Sequence, residues 1–160
     1  MVNMSHAKDV LADQLLANAN DPSWYIPFSE SVANLSEEEA FWKPNEESNS
    51  IAEIVQHLLY WNKTWQKRYQ KSHVDAVPPL SDNKESFMIP KNEKFTDLKE
   101  QLLKVLLQWQ DLLTEEKIES DIDGFPETVK WWAVLGNLST HNAYHIGQII
   151  YIRKLQKSWN

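Results

Sequence analysis

Cysteine is absent from all 160 residues, which excludes disulfides, cysteine-ligated zinc and a protein thiol nucleophile. Glycine is scarce, with 3 residues, and the long segments read with a helical period, so an all-α architecture is expected. No apolar run approaches the ~18 residues of a membrane span. The opening MVNMSHAKDV has no apolar signal-peptide core either, and a cytoplasmic protein without membrane partners is the expectation. A basic block is also missing. Sixteen Lys and Arg against 23 Asp and Glu leave a net charge of −7, and gripping a phosphate backbone needs clustered cations. No nucleic-acid partner is expected.

What is present is ordinary for a globular chain: 42% apolar and 24% charged residues argue against disorder. The length fits a single domain over 1–160 with a proper core. A first helix is expected over 5–19, with Ala7, Leu11, Leu15 and Ala19 on one stripe. Asn18, Asn20, Asp21 and Pro22 interrupt it, and Asp21-Pro22 reads as the cap and first position of a second piece. With Pro27 inside it, 22–35 is expected as a bent or broken helix. Ser36 with Glu39 and Ser50 with Glu53 are capping boxes, the second opening a long helix over 50–71 with Ile51, Ile54, Leu58, Trp61 and Trp65 inward. From 73 to 93 periodicity disappears, and a gap of this length reads as a lid, a binding loop or a disordered segment, with the apolar 86-SFMI-89 pointing to packing back on the body. A third long helix is expected over 94–116, a turn region over 119–127, and a fourth long helix from Thr128 to about 156. Four helices with one long crossover between the second and third make a four-helix bundle.

The candidate chemistry lies in the fourth helix. Trp131, Val134, Leu138, His141, His145, Gln148, Ile152 and Leu155 follow a 3,4 spacing, the seam that faces a partner helix. His141 and His145 lie one turn apart and about 40° apart around the axis, so both can reach one point. His57 lies on the second long helix. As neutral imidazoles in a core these histidines leave acceptor nitrogens unpaired, and as cations they repel; a divalent metal relieves both problems. Three histidines would also supply the three protein ligands of a catalytic zinc site with one position open. Spacing by itself leaves a hydrogen-bonded core cluster as an equal alternative. His6 and His73 read as solvated.

His57 within 51-IAEIVQHLLYW-61 and the pair in 141-HNAYHIGQI-149 resemble the DinB-like (DinB/YfiT-like) family of metal-dependent enzymes. The stretch with Leu35, Ser36, Glu37, Glu38, Trp42 and Pro44, the serine-led second helix and the long crossover extend the likeness to nearly the whole chain. The resemblance implies an up-down-down-up bundle, a homodimer, and His57, His141 and His145 as metal ligands. It also implies small-molecule chemistry, either transfer or isomerisation with a low-molecular-weight thiol co-substrate or hydrolysis. Zinc is the first expectation on ligand type, with nickel, manganese or iron as alternatives.

Helix geometry adds neighbours. Gln148 and Asn137 share the face of His141 and are candidates to hydrogen-bond a ligand histidine or bound water. Glu53, one turn before His57, is a candidate base, with capping the simpler role. Tyr144 and Tyr60 read as core or as pocket wall with a phenol acid. The tryptophans at 61, 65, 109, 131 and 132 read as core, one or two of them alternatively as pocket walls. Trp131 and Trp132 cannot face the same way, so one is expected to meet another surface. Gly147 costs its helix about 1 kcal/mol against Ala, an expense expected to be offset by close approach of a helix or ligand. The rival reading is a non-catalytic binding or scaffold bundle, stress-related, whose histidines satisfy one another.

Overall fold

A computed structural model describes residues 5–159; the single-domain expectation also takes in 1–4 and 160, which lie outside the described residues. Seven α-helices are found among the described residues: α1 (Ala7–Ala19), α2 (Phe28–Ser31), α3 (Glu37–Phe41), α4 (Ile51–Lys71), α5 (Phe95–Leu112), α6 (Glu115–Glu119) and α7 (Trp131–Leu155). Four are long and form the bundle. Their starts follow local chemistry. The Ser50 side chain accepts from Glu53 N–H while the Glu53 carboxylate accepts from Ser50 N–H at 2.8 Å, closing the box that opens α4. Ser36 and Glu39 do the same for α3. At its far end α4 stops on Ser72, whose φ of 58° leaves the right-handed helix.

Cross-helix pairs fix the topology. His57, Asn62 and Trp65 of α4 meet His141, Asn142 and Trp131 of α7, so those helices are antiparallel. Lys63, Gln66 and Tyr69 meet Gln101, Val105 and Trp109 of α5, so α4 and α5 are parallel. A parallel neighbour cannot be reached by a short turn, which is why residues 72–94 form a crossover. Gln110 reaches back to the Ala12 carbonyl, and Asn18 reaches the Ser139 carbonyl on α7. The order is up-down-down-up.

Apolar side chains from all four long helices fill the interior, with Leu15, Leu58, Leu102, Trp109 and Leu135 fully buried. Through this core runs a chain of asparagines, one each on α1, α4 and α7. Asn142 donates to Asn18 at 3.2 Å and to Asn62 at 3.3 Å, Asn62 donates to Asn142 at 2.8 Å, and the Trp109 indole of α5 donates to Asn62 at 3.1 Å. All three asparagines are fully buried. Each bond is possible only at one relative height of the helices, so the network sets their register.

Several local expectations change. Asn18 does not interrupt α1; it is the buried end of it. Asp21 does not cap a helix, because its carboxylate accepts from the Ser23 N–H and hydroxyl in a tight turn, and only one helical turn, α2, forms after Pro27. The third long helix ends at Leu112 because Thr114 caps the separate α6. The fourth starts at Trp131, since residues 120–122 pair with 129–131, as in Ile122 N–H to the Val129 carbonyl at 2.8 Å. His6 caps α1 through Lys8 N–H and contacts Glu119 at 2.9 Å, so it is structural, not free in solvent. His73 accepts from Asp75 N–H and packs on Gly124, where φ is +94° and a Cβ would come within 2.6 Å of its ring.

Candidate metal centre

Antiparallel packing of α4 on α7 brings His57 against the i, i+4 pair. One ring nitrogen from each of His57, His141 and His145 lies within 4.8 Å of the others, and the Nε2 atoms of His57 and His141 are 3.0 Å apart. His57 and His145 are buried, and His141 is half-buried.

Two oxygen acceptors define the protonation of this cluster. The Ser86 hydroxyl donates to the Asn83 carbonyl at 2.5 Å, so its oxygen is left to accept from His57 Nδ1–H at 2.7 Å. Gln148 Oε1 accepts from His145 Nδ1–H at 2.7 Å. With the proton on Nδ1 in both rings, both Nε2 lone pairs are free. Phe87 stacks on His57 at 3.9 Å and 9°, holding the ring plane. The turn Asn83–Phe87 of the crossover therefore supplies both the acceptor and the stacking partner.

Burial pushes all three histidines towards the neutral form. His57 is lowered to about 3, first by loss of water and then by His145 and His141. His141 is lowered to about 4 by burial and by His145. His145 is lowered by burial, with the Gln148 hydrogen bond opposing. Neutral imidazole is the ligating form, and the donor set (three neutral nitrogens, two with fixed tautomers) fits a borderline divalent ion. Without a cation or proton between them, the facing His57 and His141 nitrogens would repel at 3.0 Å.

The cluster forms one end of a cavity of about 640 Å³ walled by Trp61, Trp65, Phe125, Val134 and Leu138. Trp61 and Trp65 are thus half-buried wall residues, whereas Trp109 and Trp131 are core. Trp132 is half exposed on the outer face of α7.

The other candidates divide. Gln148 reaches the cluster. Asn137 sits exposed at the cavity edge and donates to the Ala133 carbonyl at 3.0 Å instead of to a histidine. Tyr144 is exposed, its ring edge-on to His145 at 5.0 Å. Tyr60 packs edge-on against Trp61 at 5.2 Å. Glu53 is occupied by its cap and by Lys43 at 2.8 Å. Apart from its chain neighbours and the adjoining backbone of α7, no atom of the described residues lies within 4 Å of a Cβ built on Gly147, so close approach does not account for that glycine. Ser86 and Phe87 were not singled out by spacing. The apolar 86-SFMI-89 run in a polar loop was the signal, and Ser86 and Ile89 do pack inward while Met88 is exposed.

Among curated proteins none matches the chain. Two solved structures share its fold. A DinB-like protein, YjoA, from Bacillus subtilis superposes with a TM-score of 0.67 at 19% identity over 92% of each chain. YfiT from Bacillus subtilis, described as a probable metal-dependent hydrolase with an unusual four-helix bundle topology, superposes with a TM-score of 0.73 at 15% identity, covering 100% of this chain and 93% of its own. Residues 28–149 match the family model of the DinB superfamily, and the chain belongs to that superfamily.

Proposed function

We propose that the chain acts as one domain that binds a divalent metal through His57, His141 and His145 and hydrolyses a small molecule seated in the adjoining cavity. The observation that carries this reading is the outward anchoring of two Nδ1 protons, on Ser86 and Gln148, which leaves Nε2 lone pairs facing the third histidine. Without metal, the His57 Nε2 lone pair can accept from His141 Nε2–H across 3.0 Å; a divalent ion would take all three nitrogens at once. Zinc suits three imidazoles and an open position. Such an ion, when bound, polarises an acyl or phosphoryl oxygen and activates water near neutral pH.

The chain's own residues do the rest. Ser86 and Phe87 fix the His57 ring, Gln148 fixes His145, and the tryptophans supply an apolar wall beside the cluster. No Asp or Glu lines the cavity among the described residues, so no carboxylate base stands beside the cluster. The reading extends YfiT's description as a probable metal-dependent hydrolase to a chain of the same fold. Thiol transfer would use the same open position and is separated by assay.

The test is elemental analysis of untagged protein beside His57→Ala and His141→Ala. One metal per chain, lost in both variants, followed by ester or amide hydrolysis that needs no added thiol, is the expected result. Absence of metal uptake on titration with zinc, nickel, manganese or iron refutes the proposal.

A further inference from the structure

The cavity beside the histidines has a chemical character that narrows what it can hold. Twelve residues line it, and none is Asp, Glu, Lys or Arg. Aromatic and aliphatic side chains make most of its surface, and apart from the histidines and the indole N–H groups of Trp61 and Trp65 its polar groups are Asn83 and Asn137. Asn83 is already engaged, its side-chain oxygen accepting from the Trp61 indole at 3.3 Å. Asn137 donates one amide N–H to the Ala133 carbonyl. The nearby guanidinium of Arg68 is outside the wall. It lies over the Trp65 ring at 4.7 Å and donates to the Val77 carbonyl at 2.8 Å.

A carboxylate or phosphate inside such walls would lose its water with no Arg or Lys fork to replace it, and an ammonium would find no carboxylate. The volume lies within the ~300–1,000 Å³ of small-molecule sites. We propose that the cavity takes an uncharged ligand with an aromatic or branched aliphatic body and a single neutral polar head directed at the His cluster. Molecules carrying a charge are rejected by the cost of burying it. The inference rests on the metal-centre reading only in taking the histidines as the reacting end.

Isothermal titration of the metal-free chain near neutral pH with 2-naphthamide, 2-naphthoate and 2-naphthylmethylammonium tests it. The neutral amide should bind one per chain, at least about tenfold more tightly than either ion. Val134→Lys, whose stem can lie along the partly buried wall, should move the preference towards naphthoate by a similar factor. Circular dichroism checks its fold, and Asn137→Lys at the exposed edge makes the same test should Val134→Lys unfold. Naphthoate binding as tightly as the amide, or no binding by any probe at millimolar concentration, overturns the inference. So does a preference that the folded lysine variant leaves unchanged. Zinc stoichiometry on the same preparations reports separately: uptake without selectivity refutes this inference alone, and selectivity without uptake refutes the metal reading alone.

Discussion

Replacing Ser86 by alanine isolates the contribution of the crossover to the metal centre. Ser86 is fully buried and His57 is 2% exposed, so water cannot take the place of the lost hydroxyl. The His57 Nδ1–H would be left without an acceptor, a cost of about 1–3 kcal/mol. The metal-free protein has an escape. His57 can move its proton to Nε2 and donate across 3.0 Å to His141. A ligating His57 cannot, because Nε2 must stay bare. The penalty therefore falls on the metal-bound state, and zinc affinity should drop roughly 10–100-fold, ~1.4 kcal/mol for each factor of ten. Competition against a chromophoric chelator measures it, and long-range nitrogen NMR of the metal-free protein should show the His57 proton on Nδ1 in the parent and on Nε2 in Ser86→Ala. Gln148→Ala should cost less, since Gln148 is half-buried and water can serve His145 in its place. Zinc affinity within about twofold of the parent, in a folded Ser86→Ala protein, would refute the reasoning.

Three further outcomes are expected. Asn62→Ala strips partners from the Trp109 indole and both ends of the Asn142 amide, and urea unfolding should show a loss of about 3 kcal/mol or more. Gly147→Ala meets open space within α7 and should gain up to ~1 kcal/mol in the same assay; a loss would mean that this exposed face is covered in solution. Metal-free protein should weaken on acidification: His57 and His141 stay neutral in the fold down to about 3 and about 4, but charge near 6.5 once unfolded. The unfolded chain then binds more protons, so stability is complete above about 6.5 and declines as pH falls towards 4. Denaturation midpoints should show this decline, shallower in His57→Gln.

Helix signals are local, and so the long helices and their caps could be read without knowing what surrounds them. Ser50 with Glu53 marks the start of α4 within four residues, and His141 with His145 share a face because one turn of one helix separates them. The same locality explains the misreadings. Thr114 caps a new helix directly after Leu113, where nothing in the apolar period marks a break, and α7 begins only after Val129–Trp131 have paired with the extended segment Ser120–Ile122. Asn18, Asn62 and Asn142 each fall in phase with a buried leucine, yet only their mutual contact shows why polar groups are tolerated there.

From the residues alone came an all-α chain with three histidines on inward faces and no cysteine to compete with them. Tertiary structure decided what those histidines face. Ser86 lies 29 residues from His57, in a crossover without periodicity, and the cavity walls come from α4, α7 and the two loops that precede α5 and α7. Spacing along a helix carries information over a few turns. The acceptor that sets a tautomer, and the apolar walls that select a ligand, depend on which distant segments pack together, and packing is a property of the whole fold.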